Sequence, residues 1–531
     1  MTANNAPSSQ PQQRKNSSLI FSTLKMAGAT FSSRILGLVR EQVMAATFGA
    51  SGITDAFTVA YRIPNMLRDL FAEGAFSSAF VPVFTKVRHL GEEQARTLLW
   101  SMAIILFSMT ALIGGGVIAF APEIVELMTD SEFTADPERF LLTVQMVRIM
   151  APFLALISLA ALFMGALNTL KMFFVPALAP ALFNVVMIAS MVGLPPILEA
   201  RGAHPALSLA LGVLFGGIFQ MLLQIPLLLR KKFGPTGEWS FKNEWTGKVL
   251  NRLGIGTVGI AATQINVLVT TILATGTQLG AVSWLTYAFR LFQFPVGILS
   301  VSIAGSNLVH FSEALKKGEN EEARGILSTS YQLSWFLIVP AFALMMALNE
   351  EAVHLVFQRG AFNKTDTMNS ALALRQYLWG LPFYGLYKIF APSFFALDKP
   401  KVPVFISMGC IAVNLVFCTL LVPTYGYAVL ALGTSLSMML NCLMQGFFLS
   451  RHLNLGLLFF FPLRLLKVLV AGGACYGLVE FLGQKYYLFD AGLFSRGTIF
   501  LGICVVGALL YAFILAILGE AKLLKKLFKK K

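Results

Sequence analysis

The sequence predicts an all-α polytopic membrane protein, and three observations carry that prediction. Of the 531 residues, 56% are hydrophobic and only 13% charged, against about 25% charged in an average soluble domain. The mean hydropathy is +0.72. Apolar runs of spanning length, roughly 20 residues each, recur along almost the whole chain, interrupted by Gly, Pro and charged residues as helix ends and loops are. A water-soluble fold is excluded, and no long polar stretch remains for a second, soluble domain.

Fourteen helices account for the runs. They are predicted at residues 24–49, 54–85, 97–121, 141–170, 173–194, 206–229 and 250–274, then at 279–311, 327–348, 368–397, 402–422, 427–449, 465–482 and 499–518. The tail at 1–18, rich in Asn, Gln, Pro and Ser, is predicted to be disordered. The first apolar segment is itself long enough to span, and no small-residue cleavage site follows a short core, so no cleaved signal peptide is expected. Cys410, Cys418, Cys442, Cys475 and Cys504 all fall inside apolar runs, where thiols pack as small hydrophobes; no disulfide is expected.

The formal net charge is +15, and its position decides its meaning. With the N-terminus inside, inner loops and tails take most of the 41 Lys and Arg, including Lys86 and Arg88, the group Arg230, Lys231, Lys232, Lys242 and Lys248, and the tail from Lys522 to Lys531. The outer loops hold six: Arg139, Arg201, Arg359, Lys364, Lys485 and Arg496. The loop after helix 3 is acidic, with Glu123, Glu126, Asp130, Glu132, Asp136 and Glu138. This asymmetry places both termini in the cytoplasm and makes the tail at 519–531 an anchor on anionic lipid. A nucleic-acid partner is not expected.

The chain also repeats itself. Pro152-Phe153, Ala166-Leu167-Asn168 and Lys171 recur at a shift of 230 residues as Pro382-Phe383, Ala396-Leu397-Asp398 and Lys401, and Ala60-Tyr61-Arg62 resembles Ala288-Phe289-Arg290. Helices 1 to 6 and 7 to 12 therefore read as two parallel six-helix repeats enclosing a central cavity, the architecture of a transporter. The predicted divisions are an N-terminal lobe at 19–232, a C-terminal lobe at 233–452, and two further helices at 453–518.

The basic residues inside the predicted spans include Lys25, Arg34, Arg40, Arg62, Arg68, Arg148, Arg252, Arg290, Arg375 and Lys388. Five acids join them: Glu41, Asp55, Asp69, Glu73 and Glu480. Each charge at bilayer depth costs at least about 2.5–3.5 kcal/mol and faces a cavity or a partner. Lys25, Arg148 and Arg252 sit near helix ends and can snorkel; Arg34, Arg68 and Arg290 are deeper. On helix 1, Arg34, Gly37 and Glu41 share a face, with Arg40 rotated away. Helix 2 carries Asp55, Arg62, Asp69 and Glu73 along a stripe interrupted by Pro64. Arg34/Arg40 and Arg62/Arg68 are each spaced by six, which diverges by about 120° on a straight helix, so departures from regular helix are expected near Gly37 and Pro64.

Ion pairs between helices 1 and 2 would account for the acids but leave cations over. Arg290 on helix 8 has no acid within the predicted spans of helices 7 to 12. A guanidinium fork in such a place suits phosphate or carboxylate oxygens, so the expected ligand is an anion, phosphorylated. Catalytic and metal sites are not expected, since His89, His204, His310, His354 and His452 are scattered without ligand spacing. No GxxxxGK[ST] loop is present to bind a nucleotide, and no cofactor is expected.

Several blocks resemble the MurJ (MviN) family of the multidrug/oligosaccharidyl-lipid/polysaccharide exporter superfamily. They are Ser33-Arg34-Ile35-Leu36-Gly37-Leu38-Val39-Arg40-Glu41, Phe48-Gly49, Thr54-Asp55-Ala56-Phe57, Pro64-Asn65-Met66-Leu67-Arg68 and Phe71-Ala72-Glu73-Gly74-Ala75-Phe76-Ser77. The resemblance continues through Asn168, Pro176, Asn184, Arg290, Phe294-Pro295, Gly297, Phe357-Gln358, Gly360, Lys388 and Ala391-Pro392. It implies a flippase of lipid II, the undecaprenyl-pyrophosphate-linked peptidoglycan precursor, in the bacterial inner membrane. Two six-helix lobes would alternate between inward and outward openings, and helices 13 and 14 would form a groove for the lipid tail.

By that resemblance Arg34, Arg40, Arg68 and Arg290 are the substrate-binding arginines, with Glu41, Asp55, Arg62, Glu73 and Lys388 supporting or gating. Some relatives place acids where this chain has Phe289 and Gln293, so a carboxylate gate on helix 8 is not carried over. Nor is a sodium site on helix 7, which has no acid. Lipid II and membrane lipids are the implied partners, with other cell wall synthesis proteins as candidates, and the membrane potential is the implied driving force. The competing readings are an exporter of another polyprenyl-linked oligosaccharide or polysaccharide, and a membrane glycosyltransferase or phosphatase. The latter would need clustered carboxylates or histidines near the membrane surface.

Overall fold

A computed structural model describes residues 10–71, 74–235, 243–297, 301–456 and 463–520. Among these residues every regular element is helical. The chain divides into two compact units, Met1–Phe48 with Ala56–Ile265, and Gly49–Asp55 with Asn266–Lys531.

The first unit begins with α1 (Gln10–Phe48), α2 (Gly52–Phe71), α3 (Gly74–Leu90) and α4 (Glu92–Ala119). Short helices α5 (Ala121–Leu127) and α6 (Ser131–Thr134) follow in the acidic loop, then α7 (Pro137–Met150), α8 (Phe153–Thr169), α9 (Phe174–Gly193) and α10 (Pro195–Glu199). The unit closes with α11 (Leu207–Leu222), α12 (Ile225–Arg230) and α13 (Glu244–Thr275), whose last turns belong to the second unit. α1 is continuous through Gly37, and α2 is continuous through Pro64, which lies inside it. Predicted helix 4 is instead two elements, α7 and α8, divided at Ala151–Pro152, where proline offers no N–H to the helix.

Close helix packing in this unit uses small residues, as expected where lipid supplies no hydrophobic drive between helices. Gly212 and Gly216 of α11 face α9, and a Cβ at Gly216 would stand 2.6 Å from the Phe183 ring. Phe80, Phe84, Leu98, Met102, Leu162 and Leu167 form a buried core joining α3, α4 and α8.

The second unit contains α14 (Ala281–Pro295), α15 (Val301–Lys316), α16 (Asn320–Ala347), α17 (Asn349–Phe357) and α18 (Lys364–Leu378). It continues with α19 (Leu381–Ala396), α20 (Lys401–Tyr425), α21 (Ala428–Leu453), α22 (Leu463–Tyr486) and α23 (Leu493–Leu515). Phe311, Leu327, Tyr331, Phe390, Phe394 and Leu449 fill the core of α15, α16, α19 and α21. The two C-terminal helices pack on α16, where a Cβ at Gly472 would stand 2.4 Å from Val339 and the Tyr511 hydroxyl donates to the Phe336 carbonyl at 2.9 Å.

Among the described residues nine helices are long and apolar enough to cross a membrane. The five other predicted spans are helices 1, 2, 7, 8 and 10. Each carries an intramembrane cation: Arg34 and Arg40, Arg62 and Arg68, Arg252, Arg290, and Arg375 with Lys388.

Candidate functional site

The first unit presents its cations from α1 and α2. Arg40 is half-buried and forked between two acceptors: one nitrogen meets Glu41 Oε1 at 2.5 Å, and another donates to Asn184 Oδ1 at 3.1 Å. Asn184 in turn donates to the Ser33 carbonyl at 3.3 Å, and Gly37 leaves room for it, with Asn184 Nδ2 3.7 Å from where a Cβ would stand. Glu41 is 4% exposed. Tyr61 and the Arg68 guanidinium lie within electrostatic reach of Arg40. The arginine that a straight helical wheel turns away thus reaches an acceptor on α9.

On α2, Arg68 donates to Asp69 Oδ1 from two nitrogens at 3.0 and 3.3 Å, and Gln264 of α13 donates to the other Asp69 oxygen at 3.3 Å. Arg62 is half-buried on the same helix. Arg34 is exposed, with no hydrogen bond or ion pair among the described residues. Glu73 lies outside the described residues.

In the second unit Asp55 takes a role that sequence alone does not assign. Its carboxylate is 2% exposed and accepts from the backbone N–H of Gly280 at 2.7 Å and of Ser283 at 2.9 Å, and from the Ser283 hydroxyl at 2.6 Å. These are free donors at the N-terminus of α14, where a negative charge also meets the positive end of the helix dipole. Gly280 has φ of 92°, and a Cβ there would stand 2.6 Å from the Ala50 carbonyl oxygen, so glycine is required on both counts. Trp284 Nε1 donates to Asp366 at 3.0 Å, fixing α14 to the start of α18. The helix so anchored carries Arg290, whose side chain is exposed about two and a half turns further on. Phe289, where some relatives have an acid, stacks on Phe292 and packs against Tyr377 with the rings tilted. Lys388 is half-buried on α19, with no ion pair among the described residues.

The structure therefore gathers Arg40, Glu41 and Arg68 in one unit and ties Asp55 to the helix of Arg290 in the other. The ion pairs described on α1 and α2 join sequence neighbours. Sequence reasoning missed the roles of Ser283, Gly280 and Gln264, and did not see Asn184 as the second acceptor for Arg40. An amide inside the apolar run Phe183-Asn184-Val185-Val186 was the available signal, since buried polar groups in membranes seek partners. Among the described residues no group of three or more His, Cys, Asp or Glu could hold a metal ion.

Comparison with known proteins bears on this arrangement. Residues 44–494 match the family model described as Lipid II flippase MurJ. The lipid II flippase MurJ of Burkholderia cenocepacia is 34% identical over 434 residues, covering 79% of this chain and 82% of that protein. The probable lipid II flippase MurJ of Vibrio cholerae is 30% identical over 516 residues, covering 94% and 96%. Among solved structures, a lipid II flippase MurJ in an inward closed conformation matches with TM-score 0.76 at 24% identity, over 94% of this chain and 99% of that one. A multidrug resistance MATE transporter of the MOP superfamily, facing inward, matches at 0.65 and 12% identity over 81% and 98%. The structural likenesses show a shared fold, and the sequence matches show that the chain belongs to the lipid II flippase MurJ family.

Proposed function

We propose that the chain moves lipid II from the cytoplasmic to the outer leaflet of the bacterial inner membrane by alternating access, for cell wall synthesis. Family membership supports this, and so does the Arg40 arrangement: a guanidinium held by a buried carboxylate and an amide, with a second guanidinium nearby, is a cationic site prepared for an anion. Arg34, Arg40, Arg68 and Arg290 engage the pyrophosphate. Glu41, Asp55, Arg62, Glu73 and Lys388 hold or gate those arginines. The reaction forms and breaks no covalent bond.

Fourteen spans with both termini cytoplasmic, arranged as two six-helix repeats and two further helices, fit this role. Helix endings support the repeat. Among the described residues four non-glycine residues take positive φ, Lys171, Lys232, Asp398 and Asn454, and they follow the ends of predicted helices 4, 6, 10 and 12, the same two places in each repeat. The negative head gains about 2.3 kcal/mol per charge per 100 mV in moving outward across an inside-negative membrane, so the membrane potential drives transport.

Complementation tests the reading. Expression of this chain in bacteria depleted of their own lipid II flippase restores growth. Failure to restore growth by a chain that inserts normally, together with export of a different polyprenyl-linked saccharide, overturns it.

A further inference from the structure

A cavity of about 840 Å³ opens between α15 and α16, lined wholly by residues of the second unit. Its lining changes character with depth. Lys317, Glu319 and Glu322 stand at the end where α15 passes into α16, which is taken as the mouth; Asn307 and Ser330 lie further along the two helices, and Leu333 and Leu337 furthest. From Glu322 to Leu337 the helix rises about 22 Å at 1.5 Å per residue, so the cavity runs from a charged helix end far into the apolar part of the span Asn320–Ala347. That gradient matches an amphiphile standing upright in one leaflet.

Asn307 points to a ligand independently of the charges. It is 2% exposed, and among the described residues neither its side-chain nitrogen nor its oxygen has a hydrogen-bond partner. A buried amide without partners is costly and uncommon, and here it lines the cavity between the charged end and the apolar stretch of Leu333 and Leu337. At the mouth, Lys317 is engaged by Glu313 at 3.4 Å. Glu319 and Glu322 lie within hydrogen-bonding reach of one another, and Lys317 is within electrostatic reach of both; with Glu313, three carboxylates share one lysine, which leaves a net negative mouth to be complemented by a cation.

We propose that the groove between α15 and α16 binds a glycerophospholipid whose head carries a primary ammonium. The ammonium meets Glu319 and Glu322, the Asn307 amide donates to an ester carbonyl, and the acyl chain lies along Leu333 and Leu337. A soluble polyamine would satisfy the two carboxylates but leave Asn307 and the apolar depth uncovered. An acidic head would be repelled.

The test is a titration of the full-length chain in detergent with dioleoylphosphatidylethanolamine, dioleoylphosphatidylglycerol and spermidine, each read by native mass spectrometry. The ethanolamine lipid binds the wild type at least about tenfold more tightly than the glycerol lipid, and spermidine does not displace it. Glu319→Gln with Glu322→Gln removes the preference. Asn307→Leu weakens the ethanolamine lipid by about tenfold, while the melting temperature of the lipid-free protein stays equal or rises, because the replaced amide had no partner to lose. Equal binding of the two lipids, displacement by spermidine, retention by all variants, or a lower melting temperature for Asn307→Leu would each overturn the proposal.

Discussion

The Asp55 carboxylate and the Ser283 hydroxyl stand 2.6 Å apart, and the same carboxylate accepts from two backbone N–H groups at the start of α14. A segment some 225 residues earlier in the chain thus caps the helix that carries Arg290. Removing a charged, fully buried acceptor leaves three donors unsatisfied, at about 1–3 kcal/mol for such a group. Asp55→Ala is expected to lower the melting temperature of the purified protein and to reduce complementation. Ser283→Ala, which removes one donor and leaves the carboxylate its two backbone partners, is expected to do less. Equal effects from both would show that the hydroxyl, not the helix cap, dominates.

Gly280 provides a second measure of the same joint. With φ of 92° and the Ala50 carbonyl oxygen 2.6 Å from a Cβ position, Gly280→Ala combines backbone strain with a clash against main chain. Alanine at a compatible site stabilises by up to about 1 kcal/mol, and at positive φ it destabilises by more than that, so a fall in melting temperature is expected. A neutral outcome would mean that the segment around Ala50 moves freely.

The arginines are expected to separate by role. Arg34 and Arg290 are exposed, so Arg34→Ala and Arg290→Ala should abolish complementation while leaving membrane insertion and melting temperature unchanged. Arg68→Ala should likewise abolish complementation at normal insertion. Arg40→Ala removes the partner of Glu41, a residue 4% exposed, and should lower stability as well as transport. Growth from the Arg34, Arg68 and Arg290 variants at the wild-type rate would end the proposal that these cations engage the substrate.

Charge type separates two ways of using Arg290. A guanidinium that grips a diphosphate with its planar fork is not replaced by an ammonium of equal charge. Arg290→Lys is expected to lose more than about 1.4 kcal/mol of lipid II binding, a factor of ten in affinity, in a titration of the purified protein. Unchanged affinity with steep salt dependence would favour a diffuse positive field.

A pH effect is expected from α17. His354 is 2% exposed, with Nδ1 2.9 Å from the Tyr487 hydroxyl and Nε2 3.0 Å from an Arg496 nitrogen. Arginine can only donate, so Nε2 accepts and Nδ1 holds the proton. Burial, with the Arg496 charge beside it, lowers the His354 pKa from 6.5 to about 4. Between those values the unfolded chain takes up a proton that the folded chain refuses, so the stability contributed by neutral His354 is present above about pH 6.5 and lost as pH falls toward 4. His354→Gln should flatten the dependence of melting temperature on pH in that window. An identical profile in both proteins would rule the histidine out.

Much of the fold is legible in the sequence because a bilayer imposes simple requirements on a chain. Apolar runs such as 97–121 and 402–422 must be helices, since no water is present to bind a free backbone group, and α4 and α20 lie where those runs predict. The intramembrane arginines are equally legible, because a charge at that depth is costly enough to need a reason. Their individual partners are not. Arg40 looks turned away on a helical wheel, yet it reaches Asn184 on α9, because side-chain length and the packing of a distant helix, rather than local periodicity, decide who meets whom. Asp55 is the sharpest case: its sequence neighbours mark it as a helix-2 acid awaiting a cation, whereas the tertiary structure spends its charge on the bare amides of α14. A local pattern specifies which groups are unsatisfied, and only the folded chain determines which distant donor or acceptor arrives to satisfy them.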